Sequence, residues 1–173
     1  LTGGGTIDFL GNQTVNFASA YTISSASTLF DPTGTITFAG AGTLTIVSGG
    51  SLKMTADTAS VAIDNQGNLD IESGTSTIDN STNTFTHSGV LSIRGTANNA
   101  GLVIANGFTN AGTITLDNAD SSARSQSLTV SSGTLTNTGT INTTRTGGGS
   151  ATHSITANII NNGMIDIDAT ASI

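Results

Sequence analysis

Asp70 and Glu72 stand two residues apart, and so do Asp166 and Asp168. On a β-strand that spacing points both carboxylates to one face. Such a pair is the start of a Ca²⁺ site, which draws on about six to eight oxygen ligands, or of an acid–base couple of the kind that cleaves glycosidic bonds. Each pair needs further oxygens to hold Ca²⁺. Solvated surface acid is therefore the simpler reading, and Ca²⁺ is the one cofactor the pattern admits. His87 and His153 are isolated histidines in a chain without cysteine, which is thin support for a metal. The glycine-rich stretch at 146–150, TGGGS, follows no phosphate-loop spacing and opens no helix, so it reads as a loop. No Gly-x-Ser-x-Gly elbow occurs.

The charge balance narrows the partners. Four basic residues give a net charge of −7, so there is no cationic stripe for nucleic acid or for an anionic membrane. No apolar run approaches the ~20 residues of a membrane-spanning helix. Apolar residues make up 35% and charged residues 9%. A chain poor in both, but rich in Gly, Thr, Ser and Asn, suits many short strands and tight corners. The lack of cysteine excludes a disulfide scaffold and thiolate chemistry. The chain begins with Leu1 and no secretory leader, so it reads as mature or as a piece of something longer.

The elements that would position these groups are visible as a repeat. The stretches FTNAGTI (108–114), LTNTGTI (135–141) and IINNGMI (159–165) share one register on their glycine. That register recurs at Gly5, Gly34, Gly67, Gly89, Gly112, Gly139 and Gly163, at spacings of 29, 33, 22, 23, 27 and 24 residues. Four residues earlier stand Leu1, Phe30, Ile63, Phe85, Phe108, Leu135 and Ile159; two residues later stand Ile7, Ile36, Leu69, Leu91, Ile114, Ile141 and Ile165. Alternation of period two marks strands with one face inward. Strands this short cannot bury that face alone, but parallel copies stacked ~4.8 Å apart can.

Position −2 reads Gly3, Pro32, Asn65, His87, Asn110, Asn137 and Asn161, which predicts a stacked amide ladder. The glycine at zero serves either a positive φ or a close backbone approach. Second strands follow at 43–46, 77–79, 102–104, 127–130 and 154–156, after connections of variable length. The longest connections are 117–126 and 144–153. The first two coils read as longer, with an extra strand at 21–24 or 51–54.

Stacking sharpens the chemical expectations. Glu72, Arg94 and Asp117 fall at one position of successive rungs and predict a ladder of alternating charge. Asp8, Asp70 and Asp166 share another position but on rungs that do not touch, so a glycosidase's paired carboxylates do not assemble. The outward pairs Thr35/Thr37 and Thr113/Thr115 raise an ice-binding array, which the aspartates interrupt. Tyr21 is the one candidate for an aromatic sugar platform, because the phenylalanines fall largely in inward columns. The sequons at Asn12, Asn80 and Asn142 are at chance frequency for so much Asn and Thr.

The pattern apolar-x-Asn-x-Gly-x-apolar-x-apolar, as at 108–116 and 159–167, resembles the parallel β-helices of large bacterial surface proteins of the filamentous-haemagglutinin and autotransporter-passenger type. The resemblance implies an extracellular or cell-surface location and a role in adhesion or scaffolding. It carries over no individual functional residue. The expected fold is all-β: a single-stranded, right-handed parallel β-helix of six to seven coils, 22–33 residues each. One domain covers residues 1–173, as a segment of a longer rod or filament roughly 30 Å in length. The expected function is non-enzymatic: a rigid rod that displays variable loops. Partner contact falls to Asp117, Asp120, Arg124 and Arg145 on the long loops. The partner would be carbohydrate or protein on another cell surface, or copies of the chain end to end. A polysaccharide lyase or glycosidase on the same scaffold, and a fibre subunit stacking end to end, are the alternatives.

Overall fold

The computed structural model describes residues 4–167 and 171–172. The chain winds into a parallel β-solenoid of about seven turns, with no helix among the described residues. Each turn crosses three walls. The first wall stacks Gly5–Leu10, Ser27–Thr33, Ser51–Thr55, residues 68–73, Val90–Gly95, Thr113–Asn118, Thr140–Thr144 and Met164–Ile167, all parallel. The second runs from Gln13–Asn16 through Ile36–Ala39 and Thr58–Ala59 to residues 74–78, 100–104, 126–130 and 153–156. The third runs from Tyr21–Ile23 through Thr43–Ile46, Ala62–Asn65 and Phe85–His87 to 108–110, 135–137 and 159–161.

Like side chains stack along the axis. Ile7, Leu29, Leu52, Leu69, Leu91, Ile114, Ile141 and Ile165 form one column on the first wall. Ile63, Phe85, Phe108, Leu135 and Ile159 form another on the third, with the Phe85 and Phe108 rings 5.0 Å apart. Their inner neighbours close one continuous apolar core. Each fully buried Leu or Ile there stabilises the fold by roughly 1.5–3 kcal/mol.

Two details of the sequence reading are corrected. First, the repeat motif is not one strand. Its apolar–x–Asn half ends the third wall and its apolar–x–apolar half begins the first, with the glycine at the corner between them. Second, the register slips at Gly34. Ile36 pairs with Gln13 on the second wall, not with Ile7. The true rungs of the first wall there are Ser27–Thr33 and Ser51–Thr55, so successive rungs are 22, 23, 17, 22, 23, 27 and 24 residues apart. The early coils are therefore no longer than the others. They lack the Asn-x-Gly corner: Ser27 stands at the glycine position of one, and Ser48 stands in place of Asn two residues before Gly50 in the other. Leu1 and Gly3 lie outside the described residues, as do the side chains of Phe30 and Pro32.

The corner glycines exist for close approach. Gly67, Gly89, Gly112, Gly139 and Gly163 all lack a positive φ. A Cβ on Gly89, Gly112, Gly139 or Gly163 would strike the carbonyl oxygen of the glycine one rung below. That carbonyl is committed: Gly89 O accepts from Thr113 N at 2.9 Å and Gly112 O from Thr140 N at 2.9 Å. Gly34, by contrast, has φ of 119° and stands over the Gly11 backbone. Replacing Gly112 with Ala should therefore lower stability by about 1–3 kcal/mol, read as a lower urea midpoint at unchanged slope. An unshifted midpoint would mean that the column tolerates a methyl group and that close approach does not set it.

Candidate functional site

The carboxylates singled out by the sequence are mostly tied to the scaffold. Asp117 is 3% exposed. It accepts from Thr144 Oγ1 at 2.8 Å, Thr146 N at 3.0 Å and Thr146 Oγ1 at 2.7 Å, and Arg94 Nε lies 3.7 Å away. Burial works against its ionisation, but the threonine donors and Arg94 together outweigh that and hold its carboxyl below the ordinary range. Asp117 is thus the anchor that pins the next rung's loop, rather than a group offered to a partner. Asp120 accepts from Ser122 N at 2.8 Å and pairs with Arg124 at 3.3 Å, which closes its own loop. Arg145 is exposed.

The two long loops do not project independently. Gly147 N donates to Asn118 O at 2.9 Å, and Asn118 Nδ2 donates to Gly149 O at 2.9 Å. A Cβ on Gly147 or Gly149 would strike the Asp120 or Ser122 backbone. The glycine-rich stretch at 146–150 is therefore the upper tier of a stacked spur, whose glycines allow it to lie flat on the tier below.

The charge ladder forms in part as its spacing predicted: Arg94 meets Asp117, but Glu72 is taken by Lys53. Lys53 Nζ meets Glu72 Oε1 at 2.8 Å, and Arg94 stacks on Asp117. The sequence reading missed Lys53 because it missed that rung. Lys53 also stands opposite Asp70 in register, and Ser51 Oγ donates to Asp70 at 3.2 Å. Burial pushes the Asp70 carboxyl up, with Ser51 and Lys53 opposing. Lys53 thus brings the chain's own positive charge to this pair. No cluster of three or more potential ligands occurs among the described residues. Asp166 is exposed at the upper rung, and Asp168 lies outside the described residues. Asp57, which the sequence reading passed over, is buried and accepts from Ile36 N at 2.8 Å and Thr55 N at 2.7 Å. It joins two rungs where the strand ladder is short.

The asparagine column is a ladder, as its spacing predicted. Asn110 Nδ2 donates to Asn137 Oδ1 at 2.7 Å, and Asn137 Nδ2 to Asn161 Oδ1 at 2.7 Å. The same amides reach main-chain carbonyls of the rung above: Thr140 O at 3.1 Å and Met164 O at 3.0 Å. His87 interrupts the run. Asn65 Nδ2 donates to Val90 O at 2.9 Å, which fixes the amide's orientation, and lies 3.0 Å from His87 Nδ1. Nδ1 must therefore accept, and the proton sits on Nε2. Burial pushes His87 down to about 4, and the nearby Thr113 carbonyl opposes this only in part. Protonation would set N–H against N–H.

Other sequence candidates resolve simply. Tyr21 packs at 5.3 Å on Phe17 against the core, so it is no open sugar platform. Asn80 of the central sequon is held by Asn106 through both amide atoms. Thr37 lies on the second wall with Thr35 just before its strand, whereas Thr113 and Thr115 lie on the first. The second wall carries a threonine column of Thr14, Thr37, Thr58, Thr77, Thr129 and Thr156, interrupted by Val103. Its flanking column reads Thr75, Gly101, Ser127 and Ser154, so a repeated Thr-x-Thr does not form.

A shallow cavity of about 470 Å³ opens on that second wall, spanning four rungs. Gly74, Ala100 and Gly101 line it together with hydroxyl and amide side chains. No known protein family, curated protein or solved structure matches the chain.

A histidine held neutral by the fold makes stability depend on pH. The folded value lies below the unfolded one, so the unfolded chain binds the extra proton first on acidification. Stability should fall as pH drops from 6.5 towards 4 and His87 should contribute on the order of 3 kcal/mol to that fall. His153, also pushed down by burial, adds in the same direction, while Asp70 opposes. His87→Asn should extend the amide ladder and flatten the urea-midpoint curve over this range. A variant curve parallel to the parent's would remove His87 from the account.

Proposed function

We propose that the chain is a non-enzymatic, extracellular rod segment that gives rigid reach and displays its loops at a bacterial cell surface. The observation that carries this reading is the use made of its polar side chains. Asp57, Glu72 and Asp117, the asparagine column and the stacked loop spur each bond a neighbouring rung. Groups that an enzyme would leave poised for substrate are here consumed in holding turn upon turn. Eight rungs on the first wall extend about 34 Å at the strand spacing. The stacked loops are an irregular part of its surface, and loops on a rigid scaffold are where recognition residues concentrate.

The reading is tested with the purified chain on beads. Coated beads should attach to epithelial or bacterial cells above the level of uncoated ones. Replacing the exposed Ser121 and Ala123 with Lys and the exposed Arg145 with Glu should reduce attachment while the unfolding free energy stays within about 1 kcal/mol of the parent. Release of reducing ends from plant or microbial polysaccharides that persists through repurification would instead make the chain a lyase or glycosidase. Attachment no better than that of uncoated beads would also remove the adhesive role.

A further inference from the structure

Each of the two long connections ends on a buried polar side chain. Gln126 and His153 open successive strands of the second wall and stand opposite each other in register. Their exposures are 1% and 0%. Alanines lie on either side of the pair in register, Ala100 and Ala171. Both polar atoms of the Gln126 amide and both ring nitrogens of His153 lack a hydrogen-bond partner of good geometry. Buried polar groups are ordinarily partnered. The comparable pair on the third wall, Asn65 and His87, meets at 3.0 Å. The Gln126 amide is packed tightly against Gly95, where an added Cβ would strike its Nε2.

His153 is also the residue on which the upper tier of the spur closes. Between Thr144 and His153 the chain carries no apolar side chain larger than Ala151. Polar contacts hold the tier instead: Thr144 and Thr146 to Asp117, Gly147 and Gly149 to Asn118, and Gly149 N to Asp120 O at 3.4 Å. At its end, Gln126 N donates to Thr152 O at 3.3 Å. Two residues beyond His153 the character changes, because Ile155 is buried and pairs in register with buried Leu128. His153 thus marks the boundary between a tier held by polar bonds and the apolar core. Segments of the first kind open locally at lower cost than the core unfolds.

We infer that His153 is an acid-sensitive latch, whose protonation frees the segment 144–152 from the tier beneath while the rungs of the solenoid stay wound. An imidazolium has two N–H donors and no acceptor. The closed site brings only the Thr144 carbonyl near the ring, with the Gln126 amide out of hydrogen-bonding geometry. Opening gives both donors water. Two charged groups act on the ring. Asp117 favours the proton but is engaged by Thr144, Thr146 and Arg94, and Arg145 opposes it. Arg124 is paired with Asp120. The register neighbours Gln126–Asn137 and Ala171–Ser172 carry no charged residue. Burial prevails and holds the ring below its ordinary value. The closed form therefore has its full stability above the ordinary histidine value of about 6.5 and loses it as pH falls below that value. Asp117 and Asp120 are held below the ordinary carboxylate range, so the acids of the spur keep their charge through this window. The latch is a property of the fold, whether or not the spur contacts a cell.

The test is amide hydrogen exchange of the intact chain, corrected for the intrinsic pH dependence of exchange. The reporters are the bonded amides of Thr146, Gly147, Gly148 and Gly149. Their opening constant should exceed that of 108–116 by about tenfold or more at every pH, the mark of local opening. From about pH 7.5 to about pH 5 it should rise severalfold, towards the roughly thirtyfold limit for one proton taken up at an ordinary histidine. His153→Gln should abolish that rise, and His87→Asn should leave it in place. Equal opening constants for the spur and 108–116, or a rise that survives His153→Gln, would overturn the latch. Should His153→Gln disturb folding, magnetic resonance of the His153 ring in the parent chain decides. The ring should stay neutral until 146–149 lose protection, and a ring that takes up its proton while these amides stay protected sinks the assignment. No partner enters the measurement, so its failure leaves the rod and its loop-mediated attachment standing, and loss of attachment leaves the latch standing.

Discussion

The structure depends on one constraint: in a parallel stack, every residue meets its own equivalent one turn away, at the distance of a backbone hydrogen bond. Whatever occupies a position must tolerate that self-contact. Leu, Ile and Phe do so by burying surface, and the column from Ile7 to Ile165 is the result. Asn does so because an amide is both donor and acceptor, so copies chain head to tail from Asn110 to Asn161. Glycine does so where the turn narrows and the neighbouring carbonyl leaves no room for a Cβ. Charges do so only by alternation, as in Lys53 with Glu72 and Arg94 with Asp117.

Departures from self-matching are where the molecule acquires particular properties. His87 breaks the amide column and brings a titratable group into the interior with Asn65 on one side and Asn110 on the other. Asp117 meets Thr144 instead of another acid, and this mismatch fastens the upper loop to the lower. Gln126 and His153 stack in register inside the second wall, both buried, with no side-chain hydrogen bond of good geometry. Gly101 stands where its neighbours carry Thr75 and Ser127, and their hydroxyls close over it. A repeat supplies the frame, and single exceptions to it supply chemistry.

This division also separates the surfaces. The first wall and the spur hold most of the charge, paired off internally, while the second wall holds uncharged hydroxyls. A partly exposed pair such as Lys53 with Glu72 adds little to stability by itself, and its geometric effect is to fix the register of neighbouring rungs.

The sequence determined the fold class, the core columns from Leu69 onward and the asparagine ladder, because each is a local pattern repeated often enough to be aligned on itself. It fixed the corner glycines for the same reason. It misled at Gly34, where a local match to the motif outweighed the true rungs at Ser27–Thr33 and Ser51–Thr55, which carry no Asn-x-Gly corner. One slipped rung hid Lys53 from Glu72 and the threonine column from view. Only the tertiary structure decided that Asp57 and Asp117 are buried anchors and that the two loops stack. The physical reason is that each of these depends on which residue of another turn lies alongside, and loops of unequal length leave that pairing undetermined until the chain has closed its coils.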